Sequence, residues 1–174
     1  INIDQSEQCS PDLLLNLENT PYPFNTDSVV SIRMDSVLEH FPSDPKNFFR
    51  ILKEIYRISA NNATIDILCP HPFHRWQIVD FTHQKPITTE GLQMLDKQFC
   101  KGLIKKGDAK TPLALIYDID FVLTSYKHFI DPTCKAHIEN LLGSFEESQN
   151  ESYQYLFNNI IGWQRIQMRV RKEE

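Results

Sequence analysis

The spacing of apolar positions changes several times along this chain of 174 residues. Ile1–Asp4 is a short apolar stub that closes on an acid, and Asp12–Leu15 is a second short run, followed by Asn16, Leu17 and Glu18. Ser28–Met34 is rich in β-branched residues and predicts a buried strand. Phe48, Phe49, Leu52, Ile55 and Tyr56 then recur at helical spacing, with Lys and Arg on the other face. Asp44 suits the N-cap of that helix and Pro45 its first turn, and its end is expected near Ala60-Asn61-Asn62. Thr64–Cys69 predicts the next strand, and Pro70–Pro86 a polar, His-rich loop. Thr88 or Thr89 starts a helix that carries Leu92, Met94 and Leu95, and Lys105–Pro112 reads as a surface turn. Leu113–Phe129 reads as one long extended segment, in which Tyr117, Asp118 and Asp120 form a wet face or a strand end. Asp131 and Pro132 open a helix to about Leu142, and Phe145–Ser152 is a charged, solvated connection.

The closing segment alternates strictly. Ile161, Trp163, Arg165, Gln167 and Arg169 fall on one side, and Ile160, Gln164, Ile166, Met168 and Val170 on the other. Early short strands separated by helical crossovers, then long alternating strands, predict an α/β fold. The expected architecture is one domain over residues 1–174, an open, mostly parallel sheet with an antiparallel last strand and helices on both faces.

Composition narrows the function. A hydrophobic content of 41% is ordinary for a globular chain, and no apolar run approaches the roughly 18–20 residues of a membrane span. A net charge of -5 argues against nucleic acid as a partner. The basic residues Arg165, Arg169, Arg171 and Lys172 alternate with apolar ones and read as the solvent face of a strand. Cys9, Cys69, Cys100 and Cys134 form no C-x-x-C pair, which suits reduced thiols and a cytoplasmic location.

An ordered set of phrases carries a resemblance. Asp4 stands at a strand end, followed by D-x-x-x-N-L-E (Asp12–Glu18), P-x-P-F (Pro21–Phe24), S-V-L-E-H-F (Ser36–Phe41), L-K-E-I-Y-R-I (Leu52–Ile58) and a strand ending in C-P-H (Cys69–His71). From Ile1 to about Lys97 this resembles the class I S-adenosylmethionine-dependent methyltransferases, and Asn159–Lys172 is similar to that family's final antiparallel strand. The resemblance implies a Rossmann-like fold, S-adenosyl-L-methionine as cofactor, and methyl transfer to an oxygen or nitrogen of a small-molecule or saccharide-type acceptor. The family carries a glycine-rich loop after its first strand, whereas no glycine precedes Gly91 here. The first strand, that loop and the first helix are therefore expected to be absent, with Ile1 at the start of the second strand. Ser59-Ala60-Asn61-Asn62 stands where the family has K-P-G-G, and Asn16 where it commonly has Asp.

The resemblance also implies a site. Asp4 would accept the ribose hydroxyls of the cofactor. The Asn16 side chain and the Leu17 backbone would meet the adenine edge. Met34 and Asp35, with Arg33 and Ser36, would line the methionine end, where Asp35 suits either the cofactor ammonium or a helix N-cap. His40 suits packing against the sheet edge. In the His-rich loop, His83 first and His71 second are the candidate bases, or else loop histidines bonded to backbone. Trp76, Phe73 and Phe81 form either an aromatic wall for substrate or a small loop core. Cys69, His71, His74 and His83 do not follow a standard zinc spacing, so no metal is expected. The helix after Asp131 suits an acceptor cover or a homodimer contact. Two other readings stay open: a non-catalytic Rossmann-like binding module, and a nicotinamide-dependent oxidoreductase.

Overall fold

The computed structural model describes residues 1–146, 152, 153 and 156–172. The expected connection at Phe145–Ser152 lies largely outside them. Two sheets form. The smaller pairs β1 (Ile3–Asp4) with β2 (Leu13–Leu14) in parallel. The larger contains β3 (Val29–Asp35), β4 (Ser59–Pro70), β5 (Phe121–Ile130) and β6 (Ile161–Val170), in the order β3-β4-β6-β5. β3 and β4 are parallel, and β6 is antiparallel to both its neighbours, β4 and β5. β3, β4 and β5 therefore share one direction and β6 alone opposes them, as the alternating last segment predicts.

The helix α1 (Pro45–Ile58) begins where the sequence places it. Asp44 accepts from the Asn47 amide at 3.0 Å and caps the first turn. Its buried stripe of Phe48, Phe49, Ile51, Leu52, Ile55 and Ile58 packs on Ile65 and Ile67 of β4 and Ile166 and Met168 of β6 in one core. The helix stops earlier than its pattern predicts, at Ile58. Ser59 turns extended there, its hydroxyl donating to the Ile55 carbonyl at 2.7 Å, and β4 starts at once. Asn62 takes the left-handed backbone expected of this turn, with φ 65°.

The further helices among the described residues are shorter than α1. α2 (Trp76–Val79) is a single turn within the His-rich loop, and α3 (Thr89–Gln93) starts on the Thr88 cap. α4 (Lys97–Lys106) follows on the Asp96 cap. α5 (Leu113–Tyr117) corrects the expectation of unbroken extended chain from Leu113 to Phe129. It starts after Pro112 and ends at Asp118, which has φ 51°, so the strand begins only at Phe121. α6 (Pro132–Leu142) lies close to its predicted bounds.

Asp120 corrects the wet-face reading. It is 1% exposed. Its carboxylate receives Arg171 Nε at 2.7 Å, Arg171 Nη2 at 2.9 Å and the Lys97 amide at 3.0 Å. Arg171 also reaches Asp96 at 2.6 Å, so it is a tertiary clamp and not a solvent-facing strand residue. Tyr117 stacks on Phe49 with ring centroids 3.6 Å apart.

α1 packs on one face of the sheet, while Trp76 of α2 packs on Trp163 and Ile138 of α6 on Ile161, at the start of β6. The other face presents Ser31, Arg33, Thr64, Asp66, Thr124, Arg165, Gln167 and Arg169. Arg165 and Gln167 both donate to Asp66 there, at 2.8 and 3.3 Å.

Candidate functional site

Four chain segments converge on a cleft of about 440 Å³. Asp4 enters from the end of β1, and Leu15, Asn16 and Leu17 from the end of β2. Ser36, Val37, His40 and Phe41 follow β3, and Thr82 and Gln84 come from the loop after β4. This is the carboxyl edge of parallel strands, where open α/β sheets bind ligands. The volume lies within the about 300–1,000 Å³ of small-molecule sites.

The strand ends are held by local bonds. Asp4 Oδ1 accepts from the Ser6 amide at 2.7 Å. The negative charge of Asp4 beside it raises the pKa of the exposed Cys9 thiol. Asn16 Oδ1 accepts from the Glu18 amide at 2.8 Å, and the Leu17 carbonyl accepts from the Tyr22 hydroxyl at 2.8 Å. With these bonds in place Asp4 and Asn16 both line the cleft. Tyr22 is fixed from behind: its amide donates to Glu54 at 2.6 Å, and Arg57 holds that carboxylate at 2.6 Å. The E-x-x-R of α1 thus serves the cleft indirectly, by positioning the segment after β2.

Two cofactor candidates sit elsewhere. Met34 is 5% exposed and points into the core against α1. The Asp35 side chain points away from the cleft and pairs with Arg33 at 2.5 Å. Strand alternation puts Met34 on the core face and Asp35 on the other, so the cleft wall falls to the residues just beyond the strand. Ser36 stands there in left-handed backbone, φ 53°, with its amide on the Leu68 carbonyl at 2.8 Å. A non-glycine residue in that region is strained, and such strain gathers at ligand clamps.

The histidine loop divides. Gln84 and Lys85 donate their amides to the Glu39 carbonyl at 2.8 and 3.1 Å, fastening the loop to the turn Leu38–His40. His40 and His83 meet edge to face with centroids 4.6 Å apart. His83 Nδ1 lies 3.3 Å from the Gln77 carbonyl, and its Nε2 3.8 Å from Asp80. Glu39 is buried with 0% exposure, and neither carboxylate oxygen has a hydrogen-bond partner among the described residues. Burial pushes its carboxyl above the ordinary range.

His71 is not brought to the cleft. It is 5% exposed and packs against His128 and Phe73. Burial, with His128 and His74 nearby, pushes it down to about 4. Its ring is therefore expected to stay neutral in an NMR titration from pH 8 to pH 5. Unfolded histidine protonates near pH 6.5, so stability contributed by neutral His71 is lost as pH falls from about 6.5 through 4. A ring that titrates near 6.5 in the folded protein contradicts this burial.

Cys69, His71, His74 and His83 do not assemble. Cys69 is buried beside Gln164, and His74 lies 3.4 Å from Asp131. The aromatic residues do not share one wall either. Phe81 is 99% exposed, whereas Trp76 packs on Trp163 and His74.

No family model and no curated protein matches this sequence. Solved structures do match the fold. A protein from Listeria monocytogenes described as an S-adenosylmethionine-dependent methyltransferase aligns at TM-score 0.50 and 11% identity, over 98% of this chain and 79% of its own. A protein described as a methyltransferase, solved in a Haloferax volcanii complex with a methyltransferase activator, aligns at TM-score 0.51 and 12% identity, over 98% of this chain and 71% of its own. A SAM-dependent methyltransferase from Archaeoglobus fulgidus aligns at TM-score 0.42 and 15% identity, over 84% of this chain. The chain spans 61% of that protein's length. No helix among the described residues is long and apolar enough to cross a membrane. The strand directions, the cleft at the strand ends and the two alignments over 98% of this chain give one conclusion: this chain has the fold of the class I S-adenosylmethionine-dependent methyltransferases.

Proposed function

We propose that this chain is the cofactor- and acceptor-binding part of an S-adenosylmethionine-dependent methyltransferase acting on an oxygen or nitrogen of a small-molecule or saccharide-type acceptor. The observation that carries the reading is the convergence of Asp4, Asn16 and Leu17 with Ser36 and Val37 on one cleft. The residues fit the cofactor by type. Asp4 offers a carboxylate to a ribose diol, and Asn16 and Leu17 would flank an adenine edge. When bound, S-adenosylmethionine supplies an electrophilic methyl group on a sulfonium.

The chain's own residues then position and shield. Methyl transfer is an in-line displacement, so its rate depends on how well the acceptor atom is held. The Ser36–Phe41 turn and the Thr82–Gln84 segment form the wall on which an acceptor would lie. A hydroxyl acceptor must also lose a proton. His40 lines the cleft at this rim, and His83 packs against it edge to face, with its side chain 7% exposed, its Nδ1 on the Gln77 carbonyl and its Nε2 3.8 Å from Asp80. His71 takes no part, because it is buried away from the cleft.

Titration calorimetry with S-adenosylhomocysteine tests the reading without knowledge of the acceptor. One saturable site is expected. A full chain that takes up none of it contradicts the proposal.

A further inference from the structure

We propose that Glu39, His40 and His83 form a binding site for one divalent transition-metal ion of the zinc type, at the acceptor rim of the cleft. One donor atom from each of the three lies within 4.8 Å of the others. Glu39 makes this more than a chance cluster. It is fully buried, and both its carboxylate oxygens lack partners among the described residues. A buried carboxylate in that state needs a cation or a proton.

The hydrogen bonds around the two histidines orient them as ligands. The Thr82 hydroxyl donates to Asp80 Oδ1 at 2.6 Å, so its oxygen accepts from His40 Nδ1 at 3.0 Å. His83 Nδ1 donates to the Gln77 carbonyl at 3.3 Å. Both rings thereby carry the proton on Nδ1 and leave a bare lone pair on Nε2. Metal-bound histidines are held in this way by carbonyl or carboxylate partners of the other ring nitrogen. Two imidazole nitrogens and one carboxylate oxygen suit zinc and its neighbours better than magnesium or calcium. Three protein ligands leave a position open, and His40 lines the cleft. The open position would take an acceptor oxygen.

This deepens the methyltransferase reading and rests on it only for the role of the ion, not for its binding. An ion here would change the chemistry at His83. Its Nε2 would be a ligand rather than a base, and the ion would acidify an acceptor hydroxyl.

The test is Co²⁺ titrated alone into the reduced full chain, read by its visible absorption. One equivalent is expected to give a ligand-field band without a thiolate charge-transfer band. Affinity is expected to fall at least roughly 100-fold in His83→Ala and at least roughly tenfold in Glu39→Gln, with the exposed His137→Ala unchanged. Circular dichroism confirms folding, and His40→Ala repeats the readout if the buried Glu39 variant does not fold. No saturable band, a thiolate band, or full affinity in both histidine variants overturns the site. Calorimetry with S-adenosylhomocysteine under chelator separates the two proposals. Its binding is expected to persist without metal, and its absence beside an intact Co²⁺ band would sink the cofactor reading and leave the ion site standing.

Discussion

Replacement of Asp4 by Ala is expected to weaken S-adenosylhomocysteine binding roughly 100-fold, about 2.7 kcal/mol, with little loss of fold. Hydrogen bonds to a charged group contribute about 1.5–3 kcal/mol each, and a ribose diol offers two. One carboxylate oxygen of Asp4 already holds the Ser6 amide at 2.7 Å, which fixes the side chain where it lines the cleft. Asp4→Asn keeps the local turn and removes the charge, so it is expected to fall between wild type and Ala. Calorimetry reads both variants. Unchanged affinity in Asp4→Ala removes this residue from the site.

The second large effect concerns folding. Asp120→Ala is expected to destabilise the protein by about 3 kcal/mol, because removal of one partner of a buried ion pair leaves the other uncompensated. In a chain of this size that lowers Tm by roughly 6–12 °C. Asp120 is 1% exposed and receives three donors from Arg171 and Lys97. Asp96 remains 2.6 Å from Arg171 in the variant and limits the loss. Asp120→Asn preserves shape and the amide contact, so it is expected to lose less. Thermal melts of the two variants that match wild type contradict the clamp.

The sequence carried some of this structure openly. α1 was legible because a capping Asp, a first-turn Pro and an apolar stripe all agree. β6 was legible because Gln164, Ile166, Met168 and Val170 alternate with Arg165, Gln167 and Arg169, and the burial follows that pattern. Leu113–Tyr117 was not legible, since a short apolar run reads equally as strand or buried helix, and Pro112 with the left-handed Asp118 decides it. Arg171 misled for another reason. Its partners, Asp120 and Asp96, lie 51 and 75 residues away, and no local pattern reports them.

The site divides the same way. Asp4, Asn16 and Leu17 are strand-end residues, and topology alone brings them together. Met34 and Asp35 belong to the strand itself, and period-two alternation already contained the correction. Glu39 lies within S-V-L-E-H-F, but nothing local to that phrase reports that the turn, fastened to the loop backbone at Gln84 and Lys85, buries its carboxylate.

The central claim is that the tips of β1 and β2, the turn after β3 and the loop after β4 hold one ligand between them. Hydrogen exchange with and without S-adenosylhomocysteine tests it directly. The account predicts joint protection of residues 3–5, 15–18, 36–42 and 82–84 on binding. Binding that protects none of these segments, or only one, contradicts it.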